Sequence, residues 1–155
     1  MIHYLVVFLI SMVPLIELRG AIPYGLAVGL DPFLTYALAI VGNCLPVPFI
    51  LFFIRKILSW MQASRVRFFN RVTTFVIEKG QRGFRKVQKY AVFGLYLFVA
   101  IPLPGTGAWT GALIAALLDM KKRYAFPSIF LGVLTAGVVM SLITGGVLAG
   151  LSFLL

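Results

Sequence analysis

The sequence predicts an all-α integral membrane protein of two inverted repeats, each a re-entrant helical hairpin followed by a transmembrane helix. Three observations predict this: the excess of apolar residues, two long apolar stretches each preceded by one broken at its middle, and basic residues gathered between the stretches. Hydrophobic residues make up 61% of the 155 and charged residues 12%. The mean hydropathy is +1.04, well outside the balance of a soluble domain. At about 20 residues per straight crossing, the chain forms one membrane domain with few spans. A net charge of +10 would point to nucleic acid in a soluble protein. Here the positive residues punctuate membrane segments, so no nucleic-acid partner is expected. Cys44 and His3 are the single cysteine and histidine, which leaves no intrachain disulfide and no Cys/His metal cluster; neither metal nor cofactor is expected.

The first repeat covers residues 1–54. Its opening apolar run, 2–16, has no basic region before it and no small-x-small site after it, so it is read as part of the fold and not as a cleaved signal. Pro14, Glu17, Arg19, Gly20 and Pro23 interrupt the stretch 2–30, leaving two arms each too short to cross about 30 Å. Asp31-Pro32 is a helix start, and 33–54 is long enough to span. Residues 55–89 hold ten of the fourteen basic residues against one acid, Glu78. With Trp60, Phe68, Phe69, Val72 and Phe75 interleaved, this linker reads as a cytoplasmic, interfacial amphipathic helix, broken near Gly80 and Gly83.

The second repeat covers residues 90–155. Pro102, Pro104, Gly105 and Gly107 break its first stretch, and basic residues lie at both ends, Lys89 before and Lys121-Lys122-Arg123 after. Both ends therefore prefer the cytoplasm and the segment returns on the side it entered, opposite in sense to the first hairpin. The stretch 126–155 supplies one crossing, with Gly145-Gly146 permitting a bend. Pro14 precedes Asp31 by the interval at which Pro102 precedes Asp119, and Gly42 and Gly132 lie at similar depths, as a repeat requires. Both aspartates read as helix caps. Two ordinary proline-kinked spans are the alternative, since such kinks are tolerated in membranes.

Glu17 and Arg19 are the only charges in the first broken segment, and charge within a bilayer is functional by default. In a non-helical turn bracketed by Pro14, Gly20 and Pro23 they can pair, or present both charges to one cavity. Burial without compensation favours a protonated Glu17 and proton coupling; a close pair keeps it ionised and leaves Arg19 to contact an anion. The loop Pro104-Gly105-Thr106-Gly107 carries no charge, so its contribution is backbone groups and the Thr106 and Thr110 hydroxyls, arranged as a nest or helix N-terminus for phosphate or carboxylate. Trp109 stacks on substrate or fills space. Asn43, near Pro46 and Pro48, puts an amide and a broken helix at one cavity wall.

The stretches 14–23 (PLIELRGAIP), 42–48 (GNCLPVP) and 101–111 (IPLPGTGAWTG) resemble the signatures of the putative small multidrug export protein family, and in that order they cover most of the chain. More distantly the chain is similar to DedA, or VTT-domain, membrane proteins. The first resemblance implies export of small drugs. The second implies two oppositely oriented re-entrant hairpins and translocation of lipids such as polyprenyl phosphate. Glu17 matches the acidic residue of the first DedA-type hairpin. The arginines expected after the proline of the second hairpin are absent, with Thr106 and Gly107 nearby instead and Arg19 as a substitute charge from the other hairpin. The resemblance also implies a prokaryotic cell membrane.

A non-enzymatic carrier for an amphipathic small molecule or lipid phosphate is thus expected, with a mid-bilayer site between the hairpin tips. A lipid flippase or scramblase needs the same groove without ion coupling. An oligomeric structural or assembly protein would use the glycines of the last helix. An intramembrane enzyme would need a nucleophile or metal cluster that the sequence does not offer. Hairpin tips in so small a unit call for shielding from lipid, so membrane lipids and a second copy, as a homodimer, are the expected partners.

Overall fold

A computed structural model describes residues 1–63, 90–103 and 105–154. Among these there are helices and turns and no strand. The elements are α1 (Ile2–Met12), α2 (Glu17–Ala27), α3 (Pro32–Cys44), α4 (Pro46–Ala63), α5 (Tyr90–Ala100), α6 (Ala108–Leu117) and α7 (Lys122–Leu154). Two described segments are long and apolar enough to cross a membrane, Pro32–Ile54 and Lys122–Gly150. The helices α1, α2, α5 and α6 have 10 or 11 residues each, about 15 Å at 1.5 Å per residue, or half a bilayer core.

Packing fixes the directions of these pieces. The Tyr4 hydroxyl lies 3.3 Å from the Asp31 amide, and farther along, Gly42 abuts the Phe8 carbonyl and Ser11, so α1 runs alongside α3 in the same direction. Ser128 donates to the Val92 carbonyl at 2.6 Å and Gly132 abuts Val99 and the Tyr96 carbonyl, so α5 likewise runs with α7. The long segments oppose each other: the Lys122 ammonium sits 3.6 Å from the centre of the Phe52 ring, while Tyr36 donates to the Leu134 carbonyl at 3.0 Å and its ring packs on Gly137. Hence Arg55-Lys56 and Lys121-Lys122-Arg123 lie at the same end. The core between the segments is small-residue rich, with Ala21, Ala39, Ala108, Ala112, Ala115 and Ala125 all at 0% exposure. Alanine and glycine let helices approach closely where lipid offers no hydrophobic driving force.

Two expectations are corrected. The first break is confined to residues 13–16; Glu17, Arg19, Gly20 and Pro23 all belong to α2. Pro14 lies in the turn, and Leu15 and Glu17 adopt left-handed backbone, φ 75° and 52°, which reverses the chain without glycine. Pro23 only removes one donor from a helix that continues past it. Asp31 caps α3, accepting from the Leu34 amide at 2.8 Å. Asp119, however, ends α6 in left-handed conformation, φ 57°, a position equivalent to Gly29, φ 75°, at the end of α2. The same bonds close both ends: Leu30 N–H to Gly25 and Met120 N–H to Ala115, ninety residues apart.

The apolar span Pro32–Ile54 is interrupted at Leu45, at the break expected beside Pro46 and Pro48, and helix then continues past the span to Ala63. Both Pro46 and Pro48 lack the N–H that would close the ladder there. The rest of the expected interfacial linker, 64–89, lies outside the described residues. The last helix begins at Lys122 and runs unbroken through Gly145-Gly146, because glycine alone weakens a helix without ending it.

The glycines separate by what surrounds them. A Cβ on Gly42 would strike the Phe8 carbonyl and the Ser11 hydroxyl, whereas one on Gly145 meets open space. Gly42→Ala should cost about 1–3 kcal/mol and Gly145→Ala nothing. Thermal unfolding in detergent, followed by circular dichroism, is expected to show a lower midpoint for the first variant alone.

Candidate functional site

The two tips meet. Glu17 opens α2 and is 3% exposed. Its carboxylate accepts from the Trp109 amide at 3.2 Å, with the Ala108 amide facing the same group, so it occupies the N-terminus of α6. An anion is favoured there because the first amides of a helix have no partners within it and carry its positive dipole end. Gly107, φ 145°, is required at this approach, since a Cβ would overlap the Glu17 carboxylate.

Arg19, two residues on, does not pair with Glu17. Its guanidinium donates to the carbonyls of Leu103 and Thr106 and to the Thr106 hydroxyl at 2.7 Å. That hydroxyl also lies 2.7 Å from the Ile101 carbonyl and 2.8 Å from that of Leu103. With one proton it donates to one of these and accepts from Arg19. The planar fork of arginine suits a site of converging carbonyls. In the reverse direction, the Trp109 indole N–H donates to the Met12 carbonyl at 3.1 Å, at the C-terminus of α1. Each tip thus satisfies backbone groups that the other tip leaves open.

Of the residues singled out in the sequence, this clasp brings together Glu17, Arg19, Thr106, Gly107 and Trp109. Pro102 is half-buried and Gly105 exposed in the same loop, with Gly105 at φ 83°; Pro104 lies outside the described residues. Thr110 sits in the first turn of α6 with no contact to the clasp among those described. Gly20 packs under Ile16 and Pro23 is half-buried within α2. The expected anion nest at the second tip is present as the α6 N-terminus, but a carboxylate of the chain itself fills it. The Trp109 indole N–H is taken up by the clasp.

Asn43 is 1% exposed, and among the described residues neither its amide nitrogen nor its oxygen has a partner. It follows Gly42, which packs at the level of Ser11, one turn from the first tip. The buried Thr35 hydroxyl is likewise unpartnered. Sequence reasoning missed Met12, Leu103 and Ile101 because they act through backbone carbonyls, for which side-chain identity gives no signal. No group of metal-binding side chains occurs among the described residues.

These observations define a helical membrane protein whose two hairpins are locked tip to tip. A family model described as "Putative small multi-drug export protein" matches residues 17–139, from Glu17 through the whole second hairpin into α7, and the chain belongs to that family. No curated protein and no solved structure gives a significant match.

The clasp carries a stability signature. Arg19→Ala leaves carbonyls of the second loop without donors and is expected to cost about 2–4 kcal/mol; Arg19→Lys keeps the charge but loses the fork and should recover only part. The measurement is the thermal midpoint in detergent, with Thr106→Ala combined in a double-mutant cycle. Coupling of at least about 0.5 kcal/mol is expected between the two positions.

Proposed function

We propose that the protein is a membrane carrier of the small multidrug export type, which moves an amphipathic small molecule or lipid through a mid-bilayer site between two re-entrant hairpins. The observation that supports this reading is the charged clasp between the tips. Half-bilayer arms, the parallel runs of α1 with α3 and α5 with α7, and the opposed long segments agree with inverted repeats whose tips approach from the two faces. The common end of the two basic clusters is then cytoplasmic, in a prokaryotic cell membrane. The site comprises Glu17, Arg19, Gly20, Pro23, Asn43, Pro102, Pro104, Gly105, Thr106, Gly107, Trp109 and Thr110.

Ionised Glu17 is held by the amides and dipole of α6, so it keeps the tips together. Protonation removes the charge on which that attraction depends. A proton taken up at Glu17 therefore loosens one side of the clasp while Arg19 still holds the loop carbonyls. Repeated on alternate sides of the membrane, this opens the space beside Asn43, whose unpartnered amide offers a donor and an acceptor to substrate. Leu15, Ile16 and Leu103, exposed at the tips, are covered by a second copy in the proposed homodimer.

A second reading is a flippase or scramblase for a lipid such as polyprenyl phosphate. It is favoured by the α6 N-terminus, which already accepts a carboxylate and suits phosphate equally once Glu17 leaves.

Transport into proteoliposomes of a labelled cationic drug and of a fluorescent polyprenyl phosphate, with and without a pH gradient, tests both. For the carrier, the gradient drives one substrate and Glu17→Gln lowers that rate more than about tenfold, about 1.4 kcal/mol. Gradient-driven transport that survives Glu17→Gln sinks the coupling role. Lipid movement in both directions, indifferent to gradient and mutation, supports the scramblase.

A further inference from the structure

Away from the tips, a shallow groove of about 400 Å³ runs between α5 and α7, within the range of small-ligand sites. Phe93 and Tyr96 line it from α5, and Tyr124, Pro127 and Leu131 from α7, with Arg123 at one end. The lining is almost wholly apolar, and no acidic residue belongs to it. Because α5 and α7 run in the same direction, the groove follows them inward. Arg123 to Leu131 is about 12 Å along the helix, close to the depth of one leaflet's hydrocarbon, roughly 15 Å. Arg123 stands in the first turn of α7 beside Lys121 and Lys122, with its guanidinium 4.8 Å from the centre of the Tyr124 ring. Among the described residues no carboxylate pairs with it.

A cation at interfacial height above an apolar channel of one leaflet's depth is complementary to one kind of molecule. We propose that this groove binds one anionic phospholipid of the leaflet at which α7 begins, its phosphate on Arg123 and an acyl chain along Phe93, Pro127 and Leu131. The counterpart of Arg123, at the ninety-residue displacement that relates the ends of α2 and α6, is Phe33. The charged end is thus a property of the second half alone, and the site selects one leaflet. Lys122 contributes charge at nearly the same depth but turns to Phe52 on α4, away from the groove. This proposal is independent of the transport site.

Native mass spectrometry of the full chain, released from micelles with equal phosphatidylglycerol and phosphatidylcholine, reads the preference directly. One phosphatidylglycerol per chain should be retained over phosphatidylcholine. Arg123→Ala should lower that ratio roughly fivefold, as expected for one basic residue near an anionic headgroup, while Arg123→Lys and Lys122→Ala keep it. A phosphatidylglycerol with a diazirine on its acyl chain should crosslink to the peptides carrying Phe93 and Leu131. An unchanged ratio in Arg123→Ala, an equal fall in Lys122→Ala, or crosslinks confined to other helices would each overturn the proposal.

Discussion

The structure depends on one constraint: short helices that end at the two tips leave backbone amides and carbonyls without partners in their own helices. The two tips resolve this together. The Glu17 carboxylate takes the first amides of α6, the Trp109 indole takes a terminal carbonyl of α1, and Arg19 gathers the carbonyls of the second loop. Each such group left alone would cost several kcal/mol in hydrocarbon. The geometry around the clasp follows from it, including Glu17 in left-handed backbone and Gly107 without a side chain.

The clasp has two unlike halves. One sets the Glu17 carboxylate on backbone amides, and the other sets the Arg19 guanidinium on backbone carbonyls. The same contact explains why, of the two arrangements open to Glu17 and Arg19, a direct pair does not form. Each charge has a better partner across the interface, where an amide array and a carbonyl array are already aimed at it.

The position of the spanning segments, the two breaks and the charged residues at the first tip were readable from residue type. Proline, glycine and charge are rare and costly within apolar stretches, so each occurrence marks a departure from plain helix. The extent of each break was not readable. Pro23 and Gly20 sit inside α2, where packing against neighbours sustains the helix through one missing donor, and Gly145-Gly146 stay inside α7 in open space because glycine only weakens a helix. Asp119 was read as a cap, like Asp31, because each leads into a long apolar stretch. Two extra residues in the second tip shift the correspondence, so Asp119 falls instead on the left-handed position that Gly29 occupies.

By itself, the sequence determined that this chain lives in a membrane, which segments are long enough to cross it and which end of them is basic. These are properties of local composition and length, and they hold whatever the neighbours are. Only the tertiary structure decided that the anion-binding helix end of one hairpin is filled by the carboxylate of the other, and that Arg19 serves the carbonyls of residues more than eighty positions away. Backbone groups are the partners in both contacts, and every residue carries the same ones, so no pattern of side chains could have announced which of them would meet.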